Sequence, residues 1–201
     1  MISLRGTSAP PRVLIITPGP TEFDDQGRIK GSLDVPMTDD GSRQVDELID
    51  DIGDLDVKTI HTAPGESCRD TADRLASRQS GRGREVRVKV VENLRNVDHG
   101  LWHGKLIDEV KRQHPKTYRR GQESAEEICP PGGEPVAEAK QRVAAAIRRL
   151  AKKASGPVVV VLPNPLAAIA GRDLAGGDGP VDLWTSERDH AAFHWFELAG
   201  R

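Results

Sequence analysis

The chain has 201 residues, a size for one domain with a sizeable core and little room for a second. Its 29 basic and 31 acidic residues leave a formal charge of -2, which gives no global attraction to nucleic acid or to an anionic membrane. Two cysteines, Cys68 and Cys129, supply no disulfide framework, and the opening MISLRGTSAPP has no apolar stretch of signal-peptide length. With no long apolar run elsewhere, a soluble, cytoplasmic protein is expected.

In chain order, residues 1–11 read as a flexible tail and residues 12–201 as a single domain. Short β-branched runs at Val13–Ile16, Val57–Ile60, Val86–Val91 and Val158–Leu162 are apolar on consecutive residues, as strands covered on both faces tend to be. Helical periodicity occupies Gln44–Ile52, Ser67–Ser77, Leu106–His114, Pro135–Ala154 and Leu166–Leu174. The alternation predicts an α/β fold, a mostly parallel central sheet with helices on both faces. Phe193–Leu198 suits an edge strand, residues 81–84 a loop, and Tyr118–Gly133 a long insertion.

In such a sheet chemistry collects where the carboxyl ends of strands meet the following helices. Those ends read Thr17-Pro18-Gly19-Pro20-Thr21, then His61-Thr62-Ala63-Pro64-Gly65-Glu66-Ser67, then Leu94 to Gly104, then Pro163-Asn164-Pro165. Five stretches occur in a telling order. "TEFDDQGRIKGSLDVPMTDDG" is similar to TxxNxxGRxQGxxDxPLTxxG, and "TAPGESCRDTADRLA" to SSPLxRARQTAxxLA. "LRNVDHGLWHG" is similar to LxExxxGxWEG, "PPGGEPVAEAKQRVAAAI" to a PGGES segment opening a long helix, and "VVVVLPNPLAAIAGRDLAG" to VLVVSHGGxIRxLLxxLLG. Together they make the chain resemble the histidine phosphatase superfamily, which includes phosphoglycerate mutases and many phosphatases.

That resemblance implies a phosphoglycerate mutase-like fold and a reaction in which one histidine takes the phosphoryl group. A second histidine and two arginines clamp the phosphate, and an acidic residue donates a proton. Carried over position by position, the Arg-His pair falls on Thr17 and Pro18, the second arginine on Ser67, the acid on Asn96 and the second histidine on Pro163. None of the five keeps its chemistry, because proline carries no side-chain nucleophile or donor and asparagine transfers no proton near neutral pH. The resemblance therefore implies a pseudophosphatase, with no catalytic residues, no cofactor and no metal. It would bind a small anionic ligand or a protein partner, and it would pair as a homodimer, as family members often do.

The candidate ligand positions are Gly19, Thr21, Arg28, Lys30, His61, Ser67, Asn96 and Asn164, of which Thr21, Arg28 and Lys30 match the family's substrate-side segment, with Asp24 standing where the family pattern has asparagine. The alternative is an active phosphatase or phosphomutase working on a small phosphoester through relocated residues such as His61. Two further patterns weigh less. His99 and His103 are four apart, a metal-ligand spacing on a helix, but Gly100 and Gly104 interrupt the segment and a loop surface is expected. Cys68 and Arg74 form C-x5-R, yet on a helix six residues rise about 9 Å and turn about 240°, so the side chains point apart. Two basic runs, Lys140 to Lys153 and Arg69 to Lys89, carry no interleaved aromatics and so offer no stacking platform for nucleic acid.

Overall fold

The computed structural model describes residues 12–80, 85–177, 181, 183–184 and 191–198. The tail expected at residues 1–11 and the loop expected at 81–84 lie outside the described residues. Among the described residues five strands form one sheet: β1 (Arg12–Thr17), β2 (Thr59–Thr62), β3 (Arg87–Val90), β4 (Val158–Val161) and β5 (Ala192–Glu197), in the order β3-β2-β4-β1-β5. All neighbours are parallel except β5, which runs antiparallel to β1. The two central strands are the most apolar because both their faces are covered, and Val13, Leu14, Ile16 and Val159 to Val161 are fully buried.

Among the described residues seven α-helices accompany the sheet: α1 (Glu22–Asp25), α2 (Asp39–Ile52), α3 (Glu66–Gln79), α4 (Ile107–Gln113), α5 (Pro115–Glu123), α6 (Val136–Lys153) and α7 (Leu166–Leu174). α3 packs on β2, β3 and β4, while α7 packs on β1 and β5 and against α6. In α6, Val136, Ala139, Val143, Ala146 and Ile147 are buried at spacings of three and four, which leaves Arg148, Arg149, Lys152 and Lys153 outward. None of the described helices is long and apolar enough to cross a membrane.

Three expectations change in detail. β2 begins two residues later than its β-branched run, because pairing of Ile60 with Val159 and Thr62 with Val161 fixes its register. α2 starts at Asp39 rather than Gln44: the Thr38 hydroxyl accepts from the Gly41 N–H at 3.0 Å and supplies a helix start that apolar spacing does not reveal. Finally, Tyr118–Gly133 is no structureless insertion, since it holds most of α5 and a 3-10 turn at Ala125–Glu127. The polar sequence of α5 hides it. Tyr118 stacks on Trp184 with ring centroids 5.4 Å apart, and Trp184 Nε1 donates to the Tyr118 carbonyl.

Part of each basic run is paired with acids. Arg74 binds Asp46 and Asp70, Arg78 binds Asp50 and Arg69 binds Asp34, so the pairs Arg74–Asp46 and Arg78–Asp50 tie α3 to α2. On α6, Lys140 meets Glu126, Arg142 meets Glu134 and Arg148 meets Asp173.

Candidate functional site

The parallel strands β1, β2 and β4 end side by side. Leu162 N–H donates to the Ile16 carbonyl and Ala63 N–H to the Val161 carbonyl, so the pairing continues past the strands into the loops. Pro18 and Pro163 each stand two residues beyond the paired Ile16 and Val161, which sets the prolines at one level of the sheet. Both are buried.

A cleft opens at this end, enclosing about 130 Å³. Of the residues singled out in the sequence, Lys30, Ser67, Cys68, Asn96 and Pro163 line it. Arg28 and Asn164 line an adjoining recess with Lys30 and His99. Three others stand behind the wall rather than on it. Thr17 is tied to the edge strand, its Oγ1 accepting from the Ala192 N–H at 2.9 Å. Gly19 presses on the backbone of α2, where a Cβ would come 2.2 Å from the Gly41 carbonyl oxygen. Thr21 is fully buried and donates from both its N–H and its Oγ1 to Asp24 Oδ2.

His61 is separated from this group. Strand alternation buries Ile60 and Thr62 and turns His61 to the other face, into an open groove with Lys89, Leu150 and Lys153. Its burial lowers its pKa from the usual histidine range, with Lys89 adding to the effect and a backbone hydrogen bond to Val159 opposing it.

Asn96 is the most constrained polar group of the cleft. Its Nδ2 donates to the Gly31 carbonyl at 3.0 Å and to the Asn164 carbonyl at 2.9 Å, joining the Lys30–Ser32 segment to the turn after β4. Its Oδ1 is buried and has no partner among the described residues. An orphan acceptor of this kind costs about 1–3 kcal/mol.

The cationic side chains near the cleft are engaged. Lys30 Nζ donates to Asp24 Oδ2 at 2.9 Å, and Arg95 stands 3.6 Å from Glu134, which also accepts from Arg142 at 2.6 Å. Arg28 donates to the Gly104 carbonyl and to Gln26. Glu66, Glu92 and Arg95 also line the cleft. The motif pattern does not mark them, although each lies within four residues of Ser67 or Asn96.

His99 is not a loop-surface residue: it is 2% exposed, with Nδ1 facing the Val97 carbonyl at 3.1 Å. Burial pushes its pKa down to about 4. His103 Nε2 accepts from the backbone N–H groups of His99 and Ser32. The intervening Gly100–Trp102 is a 3-10 turn rather than an α-helix, so the spacing of four does not set the two rings on one helical face. Among the described residues no group of His, Cys, Asp and Glu is arranged to hold a metal ion. Cys68 is fully buried and its thiol is pushed up to about 12, while Arg74 is held outward by Asp46 and Asp70, so the C-x5-R pattern forms no anion loop.

Sheet order, the antiparallel edge strand and a cleft at the carboxyl ends of β1, β2 and β4 define an α/β protein of the phosphoglycerate mutase-like type. The chain belongs to the histidine phosphatase superfamily (branch 1), whose family model matches residues 13–200. Among curated relatives, phosphoserine phosphatase 1 of Hydrogenobacter thermophilus is 23% identical over 94% of this chain and 88% of its own length. The bifunctional protein Rv2228c of Mycobacterium tuberculosis is 28% identical over 87% of this chain, which spans about half (47%) of that protein. Among solved structures, mycobacterial glucosyl-3-phosphoglycerate phosphatase Rv2419c matches with a TM-score of 0.76 at 22% identity, covering 94% of this chain and 90% of that one. YhfR of Bacillus stearothermophilus matches with a TM-score of 0.77 at 20% identity, covering 94% and 95%.

Proposed function

We propose that this protein binds a ligand in the cleft without transferring a phosphoryl group, as a pseudophosphatase on a histidine-phosphatase frame. The observation that carries this reading is the pair Pro18 and Pro163, side by side at the ends of β1 and β4, where the family's two histidines fall by motif. Neither ring has a nucleophilic atom or a donor. Ser67 and Asn96, at the positions of the second arginine and the acid, are neutral, and Thr17 is occupied by the edge strand. A phosphate dianion brought here would lose water without gaining an unpaired cation, a costly exchange.

The competing reading, an active phosphatase with relocated residues, needs a nucleophile at the cleft. His61 lies in a different groove, and Cys68 is held as the thiol. The names of the relatives make phosphomonoesters the substrates to try. The test is turnover of p-nitrophenyl phosphate, phosphoserine and phosphoglycerates, together with a search for an acid-labile phosphoenzyme. No turnover and no phosphoenzyme are expected. Hydrolysis that His61→Ala or His99→Ala abolishes would refute the proposal.

A further inference from the structure

Among the described residues β3 is an edge of the sheet, with β2 on one side and no strand on the other. Arg87 and Val91 donate their N–H groups to the Lys58 and Thr62 carbonyls, so strand alternation aims the N–H and C=O groups of Val88 and Val90 outward. Nothing among the described residues bonds those outward groups, and Val90 is 53% exposed. Lys89, which pairs with His61, lines a groove of about 650 Å³ beside this edge. Three exposed lysines, Lys58, Lys89 and Lys153, stand there against one acid, Asp56, a net charge of +2. None of the three forms an ion pair among the described residues. Arg87 is exposed two residues before Lys89, while Glu85 and Glu92 lie beyond the two ends of the strand and outside the groove. The groove shares no lining residue with the cleft.

We infer that β3 takes up an extended acidic segment of another protein as a further strand of the sheet. The outward N–H and C=O groups of Val88 and Val90 supply the pairing, as in other cases of strand addition. The pleat sets the specificity, because an added strand meets Arg87 and Lys89 on one face and Val88 and Val90 on the other. The segment that fits alternates acidic and apolar residues, its carboxylates on the lysine side and its apolar side chains over the valines. The same cations select against a second copy of this chain. Antiparallel pairing of Val88 with Val88 or with Val90 of that copy would oppose Lys89 to Arg87 or to Lys89, and like charges directly opposite destabilise a strand pair. No Phe, Tyr or Trp lines the groove, so nucleic acid, the other extended polyanion, finds no stacking platform there.

The test is fluorescence anisotropy of a dye-labelled hexapeptide of alternating glutamate and valine, titrated with the full chain. Binding is expected. It should weaken roughly tenfold or more when lysine replaces glutamate in the peptide, and likewise when the peptide backbone is fully N-methylated, which keeps the charges and removes the donors. The double variant Lys58→Glu with Lys89→Glu should bind roughly tenfold more weakly, through two ion pairs turned to repulsion. Val90→Pro should also weaken binding, because it removes an outward N–H and leaves the bonds to β2 in place. Both lysines are exposed, so the charge variant keeps the test decisive if Val90→Pro fails to fold. No binding of the acidic peptide, or equal binding of its lysine or N-methylated form, overturns the inference. So does tighter binding of a labelled oligothymidylate than of the peptide. A dimer in analytical ultracentrifugation that Val90→Pro dissociates overturns it as well, since the edge then belongs to a second copy.

Discussion

Lys30 Nζ donates to Asp24 Oδ2 at 2.9 Å, and the two side chains are only 10% and 6% exposed. This pair decides the charge of the cleft wall, because it spends a cation that an anion would otherwise meet. The same Asp24 oxygen also receives two donors from Thr21, so the carboxylate is fixed from three directions. Asp24→Asn keeps the shape and frees the Lys30 charge. Phosphate affinity should rise by roughly tenfold, the effect of one charge-assisted bond, and calorimetry against inorganic phosphate measures it. The protein should lose about 3 kcal/mol of stability, as when one partner leaves a buried pair.

Gly19 and Gly41 touch backbone to backbone, which seals the loop after β1 onto α2. Because a Cβ at Gly19 would fall 2.2 Å from a carbonyl oxygen that cannot move alone, Gly19→Ala forces the loop and the helix apart. A loss of about 1–3 kcal/mol is expected from overpacking, read from urea unfolding midpoints. Gly65→Ala is the control, since nothing lies within 4 Å of the added carbon.

Stability should fall in mild acid. His99, with a folded pKa lowered to about 4 against 6.5 in the unfolded chain, binds its proton less readily when folded. Its contribution is therefore fully present above pH 6.5, declines as the pH falls, and is gone below about 4. The span corresponds to about 3 kcal/mol. Urea unfolding between pH 7 and pH 4 should show that slope, and His99→Asn should flatten it.

The two thiols should separate cleanly. Cys129 is exposed, whereas Cys68 is fully buried with its pKa pushed up to about 12. A chromogenic disulfide reagent should titrate one thiol per native chain and two after denaturation. Reaction of both at one rate in the native protein would contradict the buried position of Cys68.

Much of the fold was legible because it rests on short-range pattern. Consecutive β-branched residues marked β1 and β4, and the three-four spacing of Val136, Ala139, Val143 and Ile147 marked α6. Motif order placed Ser67, Asn96 and Pro163 at one end of the sheet, and the structure brings those three to one cleft. What escaped was α5, whose apolar contact is a tryptophan 66 residues away in the chain.

The sequence alone determined the strand-helix alternation, the family, and the chemical identity of residues 18 and 163, since a proline has no nucleophile in any environment. Only the tertiary structure decided which charges remain free. Ion pairs such as Lys30 with Asp24 and Arg95 with Glu134 depend on where side chains meet, and strand register alone sent His61 to the opposite face. Composition fixes how many charges a chain carries; folding fixes which of them cancel.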